Sequence, residues 1–173
     1  MEMLVFLVIC MFLIYLSYQD FRYRAISWWL IPVLFLLLAY NNVQNTSFEL
    51  VYHNLAFNFI FILIQTGLLF IYFSIKNRGF VNIINNYIGI GDFLFFMVLT
   101  VCFSVFNYVV FQVVSFIIVA MFFWIFRLLK KDLDPLIPLA GGMSLLYLLM
   151  FIIARIYKIN FFEDLLLSML IKT

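Results

Sequence analysis

Two carboxylates in this sequence stand directly against long apolar runs: Asp20 follows the run that starts at residue 3, and Asp92 precedes the run that starts at Phe93. Placing a charge in the hydrocarbon end of a helix costs on the order of 2.5 to 3.5 kcal/mol by insertion scales, so such a residue is a functional candidate by default. Two carboxylates brought together have a specific chemistry. Like charges at short range do not both ionise, so one stays an acid while the other, as a base, activates water. Asp92 closes the stretch Asn86-Tyr87-Ile88-Gly89-Ile90-Gly91-Asp92. Gly89 and Gly91, lacking side chains, let the backbone bend into a helix and come close to a neighbouring helix or an extended substrate.

Composition says where this chemistry takes place. Of the 173 residues, 68% are hydrophobic and 10% charged, and the mean hydropathy is +1.20, far outside the range of soluble domains. The chain is an integral membrane protein, in which backbone groups must be satisfied by helices or a closed barrel. Its apolar runs are continuous rather than alternating, which selects helices. A net charge of +2 with no basic run argues against a nucleic-acid partner. Cys10 and Cys102 lie inside apolar segments and read as small buried hydrophobes, and His53 is the sole histidine. No metal or cofactor is expected. The N-terminal run has neither a basic flank nor a small-residue cleavage site before Asp20, so it is expected to be a retained helix.

Spans need about 17 to 25 apolar residues. The candidates cover residues 3–19, 26–40, 55–75, 92–106, 108–126 and 136–153, with the break in the long run from 93 to 126 placed at 104–108, where Ser104 and Asn107 interrupt it. This predicts an all-α, six-transmembrane-helix bundle forming one membrane domain over residues 1–173, with the tail 160–173 as an interfacial helix. Alternate loops carry Arg22 and Arg24, then Lys76 and Arg78, then Arg127, Lys130 and Lys131, and these orient to the cytoplasm. Residues 41–54 form an outer loop with only Glu49 and His53 as titratable groups. Arg155 and Lys158 fall on the wrong side of this scheme and are outvoted. Helix one then ends, and helix four begins, at the cytoplasmic boundary, so Asp20 and Asp92 can meet there.

These residues resemble a known family. Gly89-Ile90-Gly91-Asp92 is similar to the GxGD motif of membrane-embedded aspartyl proteases, and Asp20-Phe21-Arg22-Tyr23-Arg24-Ala25-Ile26 resembles the other motif of the type IV prepilin and preflagellin peptidases. The size resembles that of the small Flp-type members, and Ile137-Pro138-Leu139-Ala140-Gly141 resembles the family's Ile-Pro-Phe-Gly/Ala-Pro lead into its last helix. Ser27 and Trp28 stand where Pro-Asn usually follows, Leu139 replaces the aromatic and Gly141 the second proline. The resemblance implies an aspartic endopeptidase of the prokaryotic plasma membrane, with Asp20 and Asp92 as the dyad. It would remove a short basic leader from a prepilin-like substrate on the cytoplasmic side, in pilus biogenesis or protein secretion. The Cys-x-x-Cys pairs of methylating members are missing and the first cytoplasmic loop is short, so no methyltransferase activity is expected. Asp132 and Asp134 could attract the basic leader; the plainer reading is that they balance Lys130 and Lys131.

Each residue also has a plainer role. Asp92 alone fits a helix N-cap, Asp20 a solvated partner of Arg22 or Arg24, and Gly141 and Gly142 close helix packing or a break. At the level of the whole chain, the competing functions are a small ion- or proton-coupled transporter and an inactive scaffold subunit of a pilus or secretion assembly. Against transport, both aspartates fall at one membrane face and no half of the chain repeats the other.

Overall fold

A computed structural model of the chain describes residues 2–80, 89–129 and 137–162. All regular structure among them is helical: α1 (Glu2–Tyr23), α2 (Leu30–Asn45), α3 (Phe48–Lys76), α4 (Ile90–Leu99), α5 (Val105–Leu129) and α6 (Leu139–Tyr157). Four of these, α1, α3, α5 and α6, are long and apolar enough to cross a membrane, while α2 and α4 are shorter apolar helices. Much of their apolar surface faces outward, as on Leu63, Ile64, Leu68, Phe116 and Ile117, which suits a lipid surround rather than water.

The inner faces repeat at helical spacing. Ile9, Leu13 and Leu16 of α1, Leu30, Leu34 and Leu38 of α2, and Met143 and Tyr147 of α6 are all essentially unexposed and form the core, because positions three and four apart share one side of a helix. α1 packs mainly on α6 and α2, and α4 bridges α2 and α6.

Helix ends differ from the sequence expectation where polar side chains satisfy the backbone. Residues 41–54 are not an outer loop. α2 runs on to Asn45, and α3 starts at Phe48 because the Leu50 amide donates to the Ser47 hydroxyl at 3.3 Å, a side-chain cap for one of the unpaired amides of a first turn. Glu49 and His53 therefore lie on α3, with the His53 ring 4.7 Å from that of Phe57.

The run from Phe93 breaks earlier than expected, at 100–104. There the Asn58 amide donates to the carbonyls of Thr100 and Phe103 at 2.9 and 3.0 Å, and the Asn42 amide donates to that of Val101 at 2.8 Å. These neighbours take up carbonyls that an interrupted helix would otherwise leave bare in an apolar surround. Ser104 caps α5, accepting from the Asn107 amide at 3.3 Å. Beyond α6, Phe161 accepts from the Ser104 amide and the Asn107 side chain at 3.1 and 2.8 Å, so residues 160–162 dock on this turn rather than beginning an interfacial helix. The rest of the expected tail helix lies outside the described residues.

Candidate active site

Three helix ends build the site. Near the C-terminus of α1, Asp20 is 7% exposed. The helix stops after Tyr23 as Arg24 turns to φ 53°, its amide donating to the Asp20 carbonyl at 3.0 Å. The chain then folds back onto α1 through Gln19. Its amide donates to the Ser27 hydroxyl at 3.0 Å, and its carbonyl oxygen accepts from the Ser27 backbone amide at 2.9 Å. A proline at position 27 would have no N–H for the second bond, so the departure of Ser27 from the family pattern has a structural use.

Asp92 lies in the first turn of α4, whose N-cap is Gly89. The capping reading is thus partly correct: the Asp92 carboxylate interacts with the Gly89 backbone amide, in the manner of an acidic residue reaching back to its own N-cap. Neither Gly89 nor Gly91 has positive φ, so what each contributes is space rather than torsional freedom. A Cβ on Gly89 would come within 2.9 Å of Asp92 Oδ2, and one on Gly91 within 3.0 Å of Ile26 Cδ1. Gly91 thereby lets α4 approach the segment that follows Asp20.

The third end is the N-terminus of α6. Its Ala140 amide donates to Asp92 Oδ1 at 2.8 Å, and the next amide, that of Gly141, donates to Asp20 Oδ2 at 2.6 Å. The first amides of a helix have no partner within it and lie at the positive end of the helix dipole, so α6 offers two adjacent donors and each aspartate takes one. Both carboxylates are thereby gathered at one point of the bundle, close enough to repel one another. Arg24 acts on Asp20 electrostatically, and its guanidinium lies 5.7 Å from the centre of the Phe123 ring.

Gly141 is held from both sides of its peptide. Its carbonyl accepts from Ser17, one turn before Asp20 on α1, at 3.1 Å and from Ser144 at 2.8 Å. A Cβ on Gly141 would meet Asp20 Oδ2 at 2.9 Å, whereas one on Gly142 would meet Val119 Cγ2 of α5 at 2.6 Å. The packing role expected for both glycines therefore holds for both, Gly142 against α5 and Gly141 against Asp20 and Phe21 of α1. Sequence reasoning missed Ser17 and Gln19, and it quoted Ala140 and Gly141 only as the lead into the last helix, without a role at the carboxylates. The available signal was a proline followed closely by small residues at a helix start.

Of the candidate residues, Asp20, Asp92, Gly89 and Gly91 converge here, and Asp132 and Asp134 lie outside the described residues. An ionised carboxylate has about four lone-pair sites, so the Gly141 amide on Asp20 and the Ala140 and Gly89 amides on Asp92 leave capacity to bind a water and pass its proton.

A sequence profile of the type IV leader peptidase family matches residues 7–125, more than half of the chain and inclusive of both aspartates, while the two amides that hold them lie beyond the match. No match was found among curated proteins or among solved structures. Given this profile match, the chain belongs to the type IV leader peptidase family.

Proposed function

We propose that the protein is a membrane aspartic endopeptidase that removes a short basic leader from prepilin-like precursors, with Asp20 and Asp92 as its dyad. The observation that carries this reading is the fastening of two carboxylates from separate helices to consecutive amides of a third. One aspartate, protonated, donates to the scissile carbonyl. The other, ionised, takes a proton from the attacking water, and the proton is then returned to the leaving amine. No cofactor takes part.

The basic loops support a six-span arrangement with the dyad at the cytoplasmic face of a prokaryotic plasma membrane, the side on which the leader of the substrate lies. Asp132 and Asp134 belong to this reading as an acidic complement to the leader. The decisive experiment co-expresses the chain with a prepilin-like substrate in a host lacking its own peptidase. Wild type cleaves. Asp20→Asn and Asp92→Asn each lose on the order of 10²-fold or more, the usual contribution of a positioned acid or base, at unchanged membrane abundance. Cleavage surviving either substitution removes the dyad assignment, and absence of cleavage by wild type across a panel of leader sequences favours the transporter or scaffold.

A further inference from the structure

The end of the bundle away from the aspartates holds a cavity of about 550 Å³. It lies among the start of α1, the end of α2 and the end of α6, and reaches inward to Cys102 and Tyr147, each 1% exposed. Its inner wall is aromatic: Phe6 stacks on Phe151 with ring centres 5.1 Å apart, and Phe151 stacks on Tyr147 at 5.9 Å. Its rim is polar and cationic, with Asn45 from α2 and Arg155 and Lys158 from α6. Arg155 spans the two regions, its guanidinium 6.0 Å from the Phe6 ring centre and 3.4 Å from the Glu2 carboxylate. That ion pair is well exposed, at 44% and 73% for its two side chains, and exposed pairs exchange readily for a competing anion.

Arg155 and Lys158 are also the two cations that the loop-charge pattern left unexplained. We propose that this cavity binds a phosphate-bearing anionic lipid, its headgroup against Arg155 and Lys158 and an acyl chain against Phe6, Tyr147 and Phe151. Basic pockets between transmembrane helices suit anionic headgroups, and the volume lies within the range of small-molecule sites. A free phosphate ion would satisfy the rim but leave the aromatic wall unfilled, whereas an amphiphile matches both. The inference stands on the far end of the bundle and does not depend on the peptidase reading.

The test uses the purified full chain in phosphatidylcholine nanodiscs, with phosphatidylglycerol titrated in and binding read by native mass spectrometry and thermal stability. Saturable binding of about one phosphatidylglycerol is expected, with the double variant Arg155→Gln/Lys158→Asn binding at least about tenfold more weakly, given roughly fivefold per cation near a membrane surface. Asn tolerates the left-handed backbone of Lys158, whose φ is 56°. In phosphatidylcholine alone the variant should unfold close to the wild-type temperature, since an exposed ion pair contributes little, which reports that it is folded. Equal affinity of wild type and variant overturns the proposal. So does equal retention of phosphatidylcholine, or an identical stability shift with inorganic phosphate alone. Failure of either lipid to bind, the result expected if a segment of the chain itself fills the cavity, also overturns it.

Discussion

The amide nitrogen of Gly141 lies 2.6 Å from Asp20 Oδ2, although 121 positions separate the two residues in the chain. Together with the neighbouring bond from Ala140 to Asp92, this contact makes the start of α6 the part that sets the positions of both carboxylates. Charge-assisted hydrogen bonds of this kind are roughly twice as strong as neutral ones.

Under the proposed function, Gly141→Ala should reduce leader cleavage by roughly tenfold or more, since displacing a group that takes part in the reaction by even an ångström is costly. Its Cβ would sit 2.9 Å from Asp20 Oδ2. Gly142→Ala should instead lower thermal stability by roughly 1 to 3 kcal/mol through overpacking, its Cβ falling 2.6 Å from Val119. Side-by-side activity and unfolding measurements check the contrast; equal effects of the two changes on both readouts would contradict it.

A pair of carboxylates sharing a proton gives a bell-shaped pH profile. As pH falls through the lower limb both groups become protonated and the base is lost; as it rises through the upper limb both ionise and the acid is lost. Both limbs belong to the pair rather than to either aspartate. The measurement is kcat/KM against pH on a leader peptide in detergent, and a flat profile would rule out shared-proton chemistry.

Gln19→Leu should destabilise the protein by about 1 to 3 kcal/mol, two hydrogen bonds at roughly 0.5 to 1.5 kcal/mol each, because it removes both bonds to Ser27. Ser27→Ala, which keeps the backbone N–H and loses only the hydroxyl bond, should cost less. Thermal unfolding of the two variants gives the order, and the reverse order would mean that the Gln19 bridge does not brace the turn after Asp20.

Replacing Asp132 and Asp134 together by Asn should raise KM for a basic-leader substrate severalfold while leaving kcat near wild type, as loss of attraction uniform to ground and transition states does. Steady-state kinetics with basic and neutral leaders separate this from simple balancing of Lys130 and Lys131, for which KM would not change.

Local signals were sufficient for much of this protein. Continuous apolar runs imply membrane helices whatever surrounds them, because the backbone has few ways to be satisfied in lipid, and Asp20 and Asp92 stand out because a charge beside such a run is expensive. Helix ends were less legible, even where a side chain caps its own turn, as Ser47 does for α3. The amides of Asn42 and Asn58, which end α4 from other helices, show no such signal, and the break in the apolar run was accordingly misplaced by a few residues.

The clamp on the two carboxylates was the least legible part. Ala140 and Gly141 contribute backbone N–H groups, which every residue except proline possesses, so only the small residues following Pro138 hint at the role. By itself the sequence determined the helical membrane class and named the two carboxylates and their glycines as candidates. The tertiary structure alone decided what holds those carboxylates, because the donors are main-chain atoms whose usefulness comes from the packing of α6 against α1 and α4.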